Sequence, residues 1–222
     1  SNQLEDQQIV ELLRSYLGPM SELILDHNGT IDKINGDGIM AFFGDPLKIQ
    51  DHEMRAVTCA QAMHDTLNKL NNKWAQEGKE TLGIRVGIAT GEVYCGNFGS
   101  DKYIEYTVIG PAVNLAARLE GKASQGKTLI SGETFKAVHK DFNCKVVTEL
   151  RLKGYAEAQK AYEVNPRPIK AKSTLELRQH TRIDLDRPFA IMIGDDAYRG
   201  EALNISAGGM FIRSHTLPAI GE

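Results

Sequence analysis

Between residues 6 and 26 apolar side chains recur at helical spacing. Ile9, Leu12, Leu13, Tyr16, Leu17, Met20, Leu23 and Ile24 share one face of a 3.6-residue period. The pattern predicts an amphipathic helix. It ends at His27-Asn28-Gly29, because Asn and Gly tolerate the left-handed cap. The period then drops to two. In TIDKINGDGIMAFFGDP, two short apolar stretches flank Asn35-Gly36, a strong two-residue hairpin signal. Strands over 30–34 and 37–43 follow, so that Asp37 opens the second strand just past the turn. A second long helix is predicted from about Asp51 to Trp74, with Val57, Ala60, Met63, Leu67, Leu70 and Trp74 inward. Leu82, Ile84, Val86 and Ile88 alternate and predict a half-buried strand over 82–89. EVYCGNFG and KYIEYTVIG read as another hairpin. Pro111 opens a helix, PAVNLAARLEGKAS, where its missing N–H costs nothing. Strands at 128–130, 144–151 and 159–164 and a short helix at GETFKAVHK complete this part.

The pattern changes at NPRPIKAKST, where two prolines and three basic residues predict a linker. Beyond it, FAIMI and a stretch near 199–204 read as strands of a β module, too short for an independent core. The length of 222 residues fits one domain and part of another. Apolar residues make up 41% and charged residues 25%, so a packed core is possible. Basic residues number 26 and acidic 29, a net charge of −3 that argues against a polybasic binder of nucleic acid or membrane surfaces. No apolar run approaches the ~18 residues of a membrane helix, and SNQLEDQQ is not a signal peptide. Cys59, Cys95 and Cys144 have no paired spacing. They fit a reducing, cytoplasmic setting and form neither a disulfide framework nor a zinc site. The six histidines show no ligand spacing either.

Asp37 and Lys33 stand four residues apart on the first hairpin. A single carboxylate is a poor magnesium site unless phosphate oxygens join it. Taken alone, Asp37 also fits a turn aspartate that satisfies local N–H groups, and Lys33 a solvated strand lysine. Asn114 and Arg118 lie at i and i+4 on one helix, so an amide and a guanidinium fork share a face. The fork suits phosphate oxygens, although the pair alone also fits a surface.

Together these motifs resemble the class III nucleotidyl cyclase catalytic domain. The resemblance rests on GTIDKINGDGIMAFFGDP, IRVGIATGEVYCGNFGS and EYTVIGPAVNLAARLEGKAS. It implies a catalytic domain over residues 1–165, a linker over 166–174, and an α/β (α+β) ferredoxin-like βαββαβ sandwich that works as a head-to-tail homodimer. By the same resemblance, Asp37 is the second of two metal aspartates. Lys33 reads the purine, with a partner at Thr107. Asn114 orients the ribose, Arg118 stabilises the transition state, and Lys153 holds the terminal phosphates. One protomer supplies the metal ligands and the other supplies Lys33, Thr107, Asn114 and Arg118. Two Mg²⁺ or Mn²⁺ ions per site are implied. Lysine donates to adenine N1 and would oppose the guanine N1–H, so Lys33 implies ATP as substrate and cyclic AMP as product. Threonine at 107 marks the bacterial-type subgroup, some of whose members respond to bicarbonate.

The family's first metal aspartate sits in a strand before the first helix, and that position would lie before Ser1. The chain as given is therefore expected to lack its first strand and to be inactive alone. The alternative is a non-enzymatic nucleotide-sensing and dimerisation module; a weaker one is a guanylate cyclase. After the linker, Arg178 and Arg182 form RxxxR, and Asn204, Ser206 and Gly209 form NxSxxG. In this order, astride FAIMI, they resemble the cyclic-di-GMP signature of PilZ domains. The resemblance implies the N-terminal part of a PilZ β-barrel over 175–222 and possible regulation by cyclic di-GMP, with the two arginines stacking on guanine and gripping phosphate.

Overall fold

The computed structural model describes residues 6–100, 102–150, 158–165, 183–193, 196–206 and 209–214. By internal contacts it divides into two units, residues 1–95 with 108–174, and residues 96–107 with 175–222. The arrangement is mixed α+β, as the hydrophobic periods imply.

In the first unit, α1 (Asp6–Asp26) leads into an antiparallel hairpin of β1 (Gly29–Asn35) and β2 (Gly38–Phe43). The helix stops where predicted. Asn28 adopts φ 61° and its N–H donates to the Leu25 carbonyl at 3.0 Å. The hairpin turn differs from the prediction by one residue. Asn35 pairs with Gly38, so the two central positions are Gly36 and Asp37 rather than Asn35 and Gly36. Gly36 has φ 63°, which suits glycine at the first central position of a two-residue turn. Asp37 therefore sits in the turn itself and does not open a strand.

Helix α2 (His52–Gln76) packs against α1 through Tyr16, Met20, Leu67 and Trp74, all buried. Its inward face is the predicted one, with Val57 and Ala60 also buried. Cys59 lies on the same face, and burial pushes its thiol up to about 12. All three cysteines are free.

The segment predicted as a strand over 82–89 is a strand only at β3 (Val86–Ile88). The Asn71 side chain replaces the ladder at Leu82. Its amide donates to the Leu82 carbonyl at 2.7 Å and its oxygen accepts from the Leu82 N–H at 2.9 Å. Leu82 and Ile84 still pack against the α1–α2 core, so their alternation reports burial without strand pairing.

Helix α3 (Pro111–Lys122), β6 (Thr128–Ser131), α4 (Gly132–Val138), β7 (Cys144–Leu150) and β8 (Gln159–Val164) follow, after a two-stranded hairpin of β4 (Tyr94–Ser100) and β5 (Tyr103–Ile109). The larger sheet has the order β3-β6-β8-β7, with β3 parallel to β6 and the other pairs antiparallel. Two cores cover its faces. Leu115, Leu119 and Ala123 of α3 and its end meet Leu129 and Ala161, while Val57, Val138 and Phe142 meet Ile130 and Val164.

In the second unit, β9 (Ile183–Ile193), β10 (Asp196–Ser206) and β11 (Gly209–Ser214) form an antiparallel sheet in the order β11-β10-β9. The predicted linker lies outside the described residues.

His27, at the end of α1, is 3% exposed, and its Nδ1 lies 2.8 Å from the Leu23 carbonyl. Burial holds its pKa below the usual range against the raising effect of that bond, and the Arg55 charge adds to the lowering. Burial also lowers His64, whose Nε2 lies 2.9 Å from Thr128 Oγ1. Both rings bind a proton more readily when unfolded, so stability rises with pH through their titration. The thermal midpoint is expected to fall as pH drops below about 6.5, the unfolded value. His27→Gln should flatten that slope; a midpoint equally pH-dependent in the variant would remove His27 from the account.

Candidate functional site

The hairpin and α3 carry the candidate residues on different layers of the first unit. The hairpin packs against α1 and α2, and α3 packs against β3 and β6. At the hairpin tip Asp37 is exposed. Tyr16 of α1 registers its charge. Burial raises the phenol's pKa and the Asp37 carboxylate raises it further. Lys33, on β1 opposite Met40, keeps a third of its side chain exposed. Its Nζ lies 3.4 Å from the carboxylate of Asp32, whose side chain is wholly buried.

Pro111 occupies the first turn of α3 and Gly110 precedes it as the cap residue. Leu115 and Leu119 face the sheet, while Asn114 is exposed and Arg118 half-buried. The helix lies on β3 at very short range. A Cβ on Gly87 would collide with the Ala116 carbonyl oxygen and the Glu120 nitrogen, and would sit 2.9 Å from the Glu120 Cα. The Arg85–Glu120 ion pair, 2.9 Å, joins the same helix to the residue before β3. Asn114 and Arg118 are thus held by backbone packing beneath them.

Thr107 lies on β5, in the second unit, and is 8% exposed. Lys153, Arg178 and Arg182 lie outside the described residues. Asn204 and Ser206 sit at the end of β10, where Ser206 pairs with Gly209 at the start of β11. The described residues of NxSxxG therefore stand at the facing ends of β10 and β11. The structure places Lys33 with Asp37 on one hairpin and Asn114 with Arg118 on one helix turn. Tyr16 and Asp32 were not legible as site neighbours from sequence spacing.

Among the described residues, no group of three or more His, Cys, Asp or Glu side chains clusters to hold a metal. Asp37, exposed at a turn, fits one ligand position of a hard cation that takes its other oxygens from phosphate and water. The Arg118 fork can hold a phosphoryl group, the Asn114 amide can orient a hydroxyl, and the Lys33 ammonium can meet an acceptor edge.

The sequence pattern of the adenylate and guanylate cyclase catalytic domain matches residues 1–166, and that of the PilZ domain residues 176–222. Adenylate cyclase 1 of Rhizobium meliloti (strain 1021) is 30% identical over 160 residues, which cover 71% of this chain and 24% of that protein. An adenylate cyclase of Anabaena cylindrica is 34% identical over 176 residues, covering 74% and 34%. The chain thus spans about a quarter to a third of these curated relatives. The crystal structure of the adenylyl cyclase CyaB from P. aeruginosa superimposes with a TM-score of 0.72 at 35% identity, covering 77% of this chain and 88% of that one. The guanylyl cyclase Cya2 gives 0.69 at 35% identity, covering 73% and 82%.

Because a Cβ at position 87 would meet helix backbone, Gly87→Val is expected to lower the unfolding free energy by about 3 kcal/mol. Chemical denaturation checks it; an unchanged midpoint would show that α3 lifts from β3 at little cost.

Proposed function

We propose, from the premise that the chain belongs to the adenylate and guanylate cyclase catalytic domain family and carries a PilZ domain after it, that the protein is an adenylate cyclase. It converts ATP to cyclic AMP and pyrophosphate. The observation that carries the reading is Lys33, held partly exposed on the hairpin whose tip presents Asp37.

In this reading the ribose 3′-hydroxyl gives its proton to solvent water and its oxygen attacks the α-phosphorus in line. The new O3′–P bond forms as the bond to pyrophosphate breaks. Arg118 balances the charge that builds on the five-coordinate phosphorus. Asn114 holds the ribose so that the attack line is kept. Lys153 grips the terminal phosphates. A divalent ion bound at Asp37 and the family's other aspartate, Mg²⁺ or Mn²⁺, would supply a lowered hydroxyl pKa and charge neutralisation on the triphosphate. Lys33 donates to adenine N1, and Thr107 completes the purine contact from β5. A guanine N1–H would face the ammonium donor-to-donor, which is the discriminating clash.

Two copies complete the site head-to-tail, with Asp37 of one copy beside Lys33, Asn114 and Arg118 of the other. Tyr103, Ile104 and Tyr106 on β5 leave 53%, 64% and 41% of their surface exposed, which supports an apolar contact with a partner. The PilZ segment binds cyclic di-GMP and tunes this output, with Arg178 and Arg182 on the phosphates and guanine, and Asn204, Ser206 and Gly209 on the ligand's polar edge. Guanylate cyclisation is the second reading, favoured by the 35% identity to the guanylyl cyclase Cya2.

The full-length protein is expected to turn over ATP and not GTP, read as cyclic nucleotide formed with Mg²⁺ or Mn²⁺. Arg118→Ala should lower kcat by roughly 100-fold or more. Turnover of GTP alone would favour the second reading, and a loss within about threefold would remove Arg118 from its assigned role. Titration calorimetry of the full-length protein with cyclic di-GMP should show binding that the R178A/R182A double variant loses; no heat at high micromolar ligand would end the cyclic-di-GMP reading.

A further inference from the structure

The ladder between β1 and β2 slips at one residue. Ile31 faces Ala41 and Lys33 faces Met40, which leaves Asp32 as an extra residue with no partner across the strand. In a regular strand, neighbours in sequence point to opposite faces. A bulge breaks that alternation and re-aims a side chain. Here it brings the Asp32 carboxylate to 3.4 Å from the Lys33 ammonium.

The two groups differ in burial. The Asp32 side chain is fully buried and Lys33 is 33% exposed. Neither carboxylate oxygen of Asp32 has a hydrogen-bond partner among the described residues. A buried carboxylate is tolerated when a counter-charge stands beside it, and Lys33 supplies that charge from the solvent side. A lysine ammonium is otherwise a point charge on a flexible stem of four carbons. Fixing it against a buried anion removes part of the rotamer freedom that ligand capture would otherwise cost.

We propose that Asp32 is a positioning residue that aims the Lys33 ammonium at the purine, and so sets the preference for an acceptor edge over an N–H edge. This rests on the reading of Lys33 as the purine contact. Asp32 touches no substrate in this account; it acts only through Lys33.

The test is a double-mutant cycle in the full-length protein with Asp32→Asn and Lys33→Met, singly and together. ATP and GTP affinities are measured by competition against a fluorescent nucleotide, alongside the thermal midpoint. Wild type is expected to prefer ATP. D32N should weaken ATP binding by about tenfold and leave GTP within about twofold. The double variant should be no worse than K33M. A structural role alone would lower the midpoint with the ATP-to-GTP ratio unchanged, and that result overturns the proposal. Additive losses in the double variant overturn it as well. If D32N does not fold, Asp32→Glu keeps the charge but displaces it, and an unchanged ATP-to-GTP ratio there is equally fatal. A wild type that binds GTP as well as ATP sinks the Lys33 reading first and this proposal with it; a wild type that prefers ATP while D32N keeps the same ATP-to-GTP ratio sinks this proposal alone.

Discussion

Helix α3 lies so close to β3 that only a glycine fits between them. At Gly87 the space for a side chain is filled by the backbone of Ala116 and Glu120. Backbone resting on backbone leaves little room for adjustment, because neither side can change rotamer to relieve strain. The contact fixes the height and rotation of the helix. Leu115 and Leu119 are turned into the core with Leu129 and Ala161, and Asn114 and Arg118 are left on the outward side. The position of the Arg118 guanidinium therefore follows from the packing of the turn below it.

The hairpin works by a different device. Its tip is a tight two-residue turn with Gly36 in the left-handed region, so Asp37 is displayed by the turn rather than by a strand. Nearer the helix, at Asp32, the ladder slips and a second acid is drawn inward. One short hairpin thus presents an exposed carboxylate, a half-exposed ammonium and a buried carboxylate within six residues of sequence, Asp32 to Asp37. Local irregularities of a sheet are a compact way to re-aim charges without altering the core beneath.

What the sequence disclosed and what it hid divide along physical lines. Both long helices were legible, because apolar spacing and a left-handed Asn28 report burial and capping directly. Asn114 and Arg118 were legible as a pair for the same reason. Leu82 and Ile84 misled, since alternation records burial and the Asn71 side chain satisfies the Leu82 backbone without a strand. The turn was displaced by one residue because the Asn-Gly signal marks where a left-handed glycine stands without saying which central position it takes. Asp32 and the nearness of Tyr16 to Asp37 left no trace in spacing. A bulge has no period, and the effect of a turn's charge on a helix residue exists only once the chain has folded.

The placement of acid and base on a single hairpin bears on how two copies would work together. In a two-fold pair each contact is made twice, and the same surface serves both partners. If Asp37 of one copy meets the nucleotide read by Lys33 of the other, each hairpin contributes to both sites at once. A small tilt of β1 and β2 then moves a metal ligand in one site and a base contact in its twin. The hairpin rests on α1 and α2, so in such a pair a shift of those helices would change both sites in step. Helix α3 is seated separately, on the larger sheet through Gly87, and would keep its arginine in place meanwhile. In such a pair, control would need to move only the light element, the two-stranded hairpin, against a guanidinium held by α3.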